Sequence, residues 1–85
     1  MIELEPIYDS RKSFYGKAKV RTVGNRSTLI SYGTEVAYIE DGKAVVIDTY
    51  SPTTLRHIRE FLQQEGFPIG TKSFIENEYM EDANG

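Results

Sequence analysis

The chain has no cysteine, which excludes a disulfide framework and any thiolate metal site and suits a reducing compartment. Histidine is nearly missing as well. His57 is the only one, so an imidazole acid–base mechanism or a histidine metal site would have to run through that single residue. No apolar run approaches the roughly 20 residues of a membrane helix, and the acidic opening MIELEPIYDS lacks the apolar core of a signal peptide. The expected location is the cytoplasm, with no membrane partner. No internal repeat, linker or low-complexity tract interrupts the chain, and no catalytic signature stands out from it.

What is there is one small domain of 85 residues, close to the size below which a core needs metals or disulfides, so every apolar residue counts. The ordered centre is expected over 13–69, with a frayed acidic end over 81–85. The formal net charge of −3 conceals an asymmetry. From Ser10 to Thr34 the basic residues are Arg11, Lys12, Lys17, Lys19, Arg21 and Arg26, with no acid among them. Glu3, Glu5 and Asp9 precede this block, and Glu76, Glu78, Glu81 and Asp82 close the chain. Two surfaces of opposite sign follow.

Residues 14–23 alternate with period two: Phe14, Gly16, Ala18, Val20 and Thr22 on one side, Tyr15, Lys17, Lys19, Arg21 and Val23 on the other. That is the pattern of a half-buried strand. Gly24-Asn25 turns the chain into a second β-prone run over 28–32. Residues 34–40 and 43–50 flank Asp41-Gly42, a dipeptide suited to a two-residue type I′ hairpin. Such a turn sets Glu40 opposite Lys43 and fixes the register outward. Tyr38 with Val45 and Val36 with Ile47 then share one face, and Ile39 with Ala44 and Ala37 with Val46 the other. The hairpin is apolar on both sides, and one helix cannot cover both. The second face, read as that of Ala37, Ile39 and Val46, needs the segment Ile2-Leu4-Ile7, the segment Phe74-Ile75-Tyr79, or a homodimer partner.

The helix over 52–65 starts from Ser51 as N-cap with Pro52 at the first helical position, where a missing amide costs nothing. It stops at Gly66, free to take a left-handed conformation, with Phe67 closing on Leu62. Leu55, Ile58, Phe61 and Leu62 make the buried stripe, contributing about 1.5–3 kcal/mol per large side chain. Arg56, Arg59, Glu60, Gln63 and Gln64 are expected to point outward. Ser73 and Glu76 resemble a capping box opening a short C-terminal helix. The fold class is therefore α+β: a four-stranded antiparallel meander followed by one helix packed on one face, with a short second helix at the end. The expected core is Val36, Tyr38, Val45, Ile47, Leu55, Ile58 and Leu62.

Chemistry is sparse. Ser51 is explained as a cap and lies about 9 Å along the helix from His57, too far to share a proton. His57 with Glu60 is only half a metal site, and Asp41 belongs to its turn. Neither catalytic residues, nor a metal, nor a cofactor is expected. The basic strand carries more weight, because Lys17, Lys19 and Arg21 recur about 7 Å apart beside Tyr15, near the spacing of phosphates along a nucleic acid strand. Lysines on a solvated strand face also simply discourage edge-to-edge pairing. Arg56, Arg59 and Gln63 on one helix ridge admit the same two readings. Candidate binding residues are thus Tyr15, Lys17, Lys19, Arg21, Arg56, Arg59 and Gln63.

The motifs Ser31-Tyr32-x-Thr34-x-Val36-Ala37-Tyr38-Ile39 and Tyr50-Ser51-x-Thr53-Thr54-x-Arg56-His57-Ile58-x-Glu60-Phe61-Leu62-x-Gln64-x-Gly66-Phe67 resemble small uncharacterised domains of phages and mobile elements of Gram-positive bacteria. The resemblance spans about residues 13–67. It implies a non-catalytic accessory protein that binds a host or phage protein, with inhibition of a host defence nuclease as one such role. The alternative is a nucleic-acid-binding module using the basic first strand.

Overall fold

The computed structural model describes residues 1–49 and 51–80. Strands β1 (Ile2–Glu3), β2 (Ala18–Val23), β3 (Arg26–Ser31), β4 (Thr34–Glu40) and β5 (Lys43–Val46) precede helices α1 (Pro52–Gln64) and α2 (Lys72–Tyr79). The strands form one sheet in chain order, each antiparallel to the next. The class is α+β as expected, with a fifth strand ahead of the meander and the short C-terminal helix present as α2. Two residues are too few to register as a strand in sequence, and β1 exists only because Ile2 and Glu3 pair with Val20 and Lys19. The last strand, expected over 43–50, ends at Val46, beyond which the Ile47 and Asp48 amides both turn to Val36 O; the expected fraying over 81–85 and the placement of Tyr50 lie outside the described residues.

The β4–β5 hairpin behaves as its turn dipeptide dictates. Asp41 and Gly42 both have positive φ, 53° and 78°, and Glu40 faces Lys43 with the register running outward as expected. The core nevertheless sits on the other hairpin face. Between Leu29 and Ile30 the β3–β4 register shifts, so that Leu29 faces Ala37 while Ile30 faces Glu35. Val36 is the extra residue. A bulge breaks the alternation, letting Val36 and Ala37 both be fully buried. The core cluster joins Ala18, Leu29, Val36, Ala37, Ala44 and Val46 of the sheet to Leu55, Ile58, Phe61 and Leu62 of α1, with Leu4, Phe14, Ile75 and Tyr79 added. Tyr38 and Ile47, expected inside, are on the side without helices; Tyr38 is half-buried and Ile47 is 47% exposed. Val45 is buried but stands outside this cluster. The face of Ala37, Ile39 and Val46, which needed a partner if left bare, is the one α1 and α2 cover.

The caps of α1 match their sequence signals. Ser51 Oγ accepts the Thr54 amide at 3.2 Å. At the other end Gly66, with φ 85°, lets Phe67 N–H reach Leu62 O at 3.0 Å and Gly66 N–H reach Gln63 O at 3.1 Å, the paired bonds of a Schellman motif. The second helix is capped differently from the capping box. Thr71, not Ser73, accepts the Phe74 amide, at 3.2 Å, and Glu76 accepts instead from the Thr49 hydroxyl at 3.0 Å. A long-range partner outcompetes the local one. Beyond α2, Met80 forms a parallel bridge to Val46 and covers the β5 edge.

Candidate functional site

The expected strand over 14–23 begins four residues late, and the reason defines the site. Phe14 to Lys17 is a tight turn, closed by Lys17 N–H to Phe14 O at 3.0 Å, with Tyr15 and Gly16 both at positive φ, 54° and 74°. Ser13 Oγ accepts the Tyr15 amide and Glu3 the Gly16 amide. Tyr15 is therefore not part of the strand alternation. Tyr32-Gly33 repeats the device between β3 and β4, with φ of 52° and 79°. A bulky side chain in the left-handed region costs about 1–2 kcal/mol, which asparagine or glycine would largely avoid. Both tyrosines are held there and kept at the surface, 75% and 54% exposed.

These two turns flank one pocket of about 180 Å³, lined by Arg11, Ser13, Phe14, Tyr15, Lys17, Tyr32, Thr53 and His57. His57 is 1% exposed, its ring 4.5 Å from Phe14 and stacked on Tyr32 at 5.7 Å. Its Nδ1 lies 2.9 Å from Ser31 Oγ, which in turn is 3.1 Å from Thr54 Oγ1. Burial pushes the imidazole below its ordinary value, the Asp9 charge opposes this, and Arg11 and Arg56 reinforce it. The ring is neutral at pH 7. Ser31, 2% exposed, is shut away from any substrate, so this serine–histidine contact is a buried polar cluster and not a nucleophile with its base.

Lys17 also belongs to an adjoining groove of about 330 Å³, lined with Met1, Gly16, Lys19, Arg21, Ile30 and Gly33. Of the seven candidate binding residues the structure thus unites four, Tyr15, Lys17, Lys19 and Arg21, across two contiguous recesses. Arg21 is ion-paired with Glu35 on the open sheet face. Beside it Arg26 bonds Glu40 at 3.2 Å and lies over the Tyr38 ring at 3.8 Å. Lys17 and Lys19 make no ion pair among the described residues.

The helix ridge is a different matter, because its two arginines are engaged within the chain. Arg56 binds Asp9 at 2.8 Å, Arg59 Nε donates to Gly70 O at 2.8 Å, and Gln63 is half-buried. Glu60, expected outside, is 2% exposed. It accepts the backbone amides of Ile7, Tyr8 and Asp9 at 2.9–3.3 Å and the Gln64 side-chain amide. Asp9 itself is pushed up by burial, but the Arg11 amide and the Arg56 guanidinium outweigh this and hold it below the usual value. The N-terminal segment thereby folds over α1, which sequence spacing could not show. Tyr32, Arg11 and His57 were missed as site residues. The repeated Tyr-Gly dipeptide at 15–16 and 32–33, and Thr54 and His57 three apart on the inward side of α1, are the signals that point to them.

No group of three or more histidine and acidic side chains suited to a metal occurs among the described residues, and no helix there is long and apolar enough to cross a membrane. Fold and site define a small α+β meander domain with a cationic, aromatic-walled recess at one end of its sheet. The chain belongs to DUF8033, a family of unknown function, which matches residues 2–77. No curated protein and no solved structure matches it.

Proposed function

We propose that this domain is a non-catalytic, cytoplasmic binding module that holds a single strand of nucleic acid along the surface from Tyr15 and Tyr32 across Lys17, Lys19 and Arg21. The observation that carries this reading is the pair of exposed tyrosines kept in left-handed turns beside lysines that make no ion pair among the described residues. Strain of this kind persists where a side chain must be presented. Stacking faces interleaved with cations are what a strand needs, since bases stack on rings while phosphates follow the charges. Short single-stranded oligonucleotides followed by fluorescence anisotropy at about 50 mM salt test it, a condition generous to phosphate contacts. Absence of binding there removes the reading.

A protein partner is the second reading, favoured by the net charge of −3, which opposes general nucleic acid affinity. In it the domain is an accessory protein of a phage or mobile element that occupies a host protein, for instance the channel of a defence nuclease. The helix ridge supports this less than expected, because Arg56 and Arg59 are engaged within the chain. Recovery of one specific host protein by the immobilised domain, undisturbed by nuclease treatment, would favour it over the first.

A further inference from the structure

Away from the tyrosine turns, a groove of about 330 Å³ runs between β1 with its continuation and the end of α1. Leu4, Val20 and Phe61 line it and belong to the core or pack against it. Ile2 and Ile7 stand beside them, 76% and 69% exposed. Two isoleucines left in water next to apolar residues form a contiguous patch, which marks a contact surface rather than scattered exposure. The charge around it has one sign. Glu3, Glu5 and Glu65 line the groove, and no lysine or arginine does. Glu5 and Glu65 are exposed and make no ion pair among the described residues. The last turn of α1 holds no basic residue to offset the negative end of the helix dipole. The sheet is open here as well. β1 is an edge strand bonded to β2 alone, whereas the β5 edge is bridged by Met80. Leu4 N–H turns inward to Ala18 O at 2.9 Å, so by the alternation of an antiparallel pair the Glu3 N–H and C=O point out from the edge.

We infer that this edge and groove dock an extended cationic peptide, a segment of a partner protein in which apolar residues alternate with lysine or arginine. The peptide adds beside β1 as a further strand of the five-stranded sheet. The Glu3 backbone gives one hydrogen bond and takes one. Every second side chain then lies over Ile2 and the groove, and the side chains between lie on the Glu3 side. Glu3 faces Lys19 across β1 and β2, and a cation on its outer flank makes a second favourable cross-strand pair. An acidic peptide would meet three carboxylates and the negative end of α1, while a small apolar molecule would leave the edge amide and carbonyl unused. The site goes beyond the strand reading. Lys17, Lys19 and Arg21 line a separate groove, so the peptide site stands or falls independently of nucleic acid binding.

The experiment titrates the full chain, followed by its amide NMR signals, with short capped peptides: alternating lysine and leucine, alternating glutamate and leucine, and alternating lysine and serine. The lysine–leucine peptide is expected to move the amides of residues 2–7 and 61–65, to slow exchange of the Glu3 amide, and to bind more weakly as salt rises. The other two should bind at least about tenfold more weakly. Methylating one alternate set of amide nitrogens in the lysine–leucine peptide should abolish binding, and methylating the other set should leave it unchanged, as pairing with a single edge requires. Glu5→Lys combined with Glu65→Lys, both at exposed positions, should weaken the lysine–leucine peptide about tenfold and admit the glutamate–leucine peptide. Shifts confined to the tyrosine turns, equal affinity for the three peptides, equal tolerance of both methylated forms, or no binding at all would each overturn the inference. So would an equal response to dodecyltrimethylammonium below its micellar concentration, which would make the groove a site for small cationic amphiphiles. None of these outcomes bears on oligonucleotide binding.

Discussion

Glu60 gathers three successive amides, of Ile7, Tyr8 and Asp9, around one carboxylate. Replacing it by glutamine puts an NH2 group where only acceptors fit, and by leucine leaves all three amides without a partner. Each variant should lose about 1–3 kcal/mol in urea unfolding, with amide exchange quickening first over residues 5–12. Two titrations shape the acid side of the stability curve. His57 sits below its ordinary 6.5 because burial disfavours the cation, so the unfolded chain binds the proton more readily. Its contribution is whole above 6.5 and is lost as pH falls below that value towards the folded pKa. Asp9, held below 3.8, is whole above 3.8 and is lost as pH falls through its own lower value. Thermal unfolding followed from pH 7.5 downward should show a first decline below 6.5, and the loss of that decline in the His57→Asn variant would assign it. Tyr15→Asn relieves a left-handed tyrosine and should raise stability by about 1 kcal/mol while weakening strand binding. A variant both less stable and fully able to bind would contradict the proposed role of that turn.

Among the elements, α1 carries the fold because both of its ends are closed by the chain's own groups. Gly66 holds the Schellman bonds at a φ of 85°, and Gly66→Ala should cost about 1 kcal/mol through backbone strain alone, a Cβ there meeting nothing within 4 Å. Gly70→Ala fails for the opposite reason. Its φ is ordinary, but a Cβ would come within 2.9 Å of Phe74 Cγ, forcing the opening turn of α2 away from the sheet at a cost of about 1–3 kcal/mol. Denaturant midpoints of the two variants, with the α2 resonances as a local probe, separate the mechanisms: only the second should disturb Ile75 and Tyr79.

For the molecule taken as one body, charge placement outweighs net charge. Lys17 and Lys19 have no ion-pair partner among the described residues while Arg21 is tied to Glu35, so the three basic residues are unequal. Lys17→Gln and Lys19→Gln should each flatten the salt dependence of oligonucleotide binding by close to one counterion, and Arg21→Gln by clearly less. Equal slopes would mean the ion pair opens on binding. The side of the sheet without helices is crossed by the Arg21–Glu35 and Arg26–Glu40 pairs, and the apolar hairpin face is filled from within. Sedimentation equilibrium should therefore report a monomer, where a bare Ala37–Val46 face would have required a dimer.

The meander from β2 to β5, the Asp41-Gly42 register and both caps of α1 were legible from the sequence, since each rests on interactions within a few residues: a turn dipeptide, a period of two, a serine before proline, a glycine after the apolar stripe. Which hairpin face became the core was not, because one bulged residue, Val36, reversed the alternation, and a bulge depends on how β3 and β4 meet. β1, the burial of Glu60, the Thr71 cap and the recess around His57 were decided only by tertiary structure. In those cases the deciding partners lie far along the chain, as Glu60 does from Ile7 and Ser31 from His57, and a buried polar group takes whichever partner satisfies it, wherever the sequence places that partner.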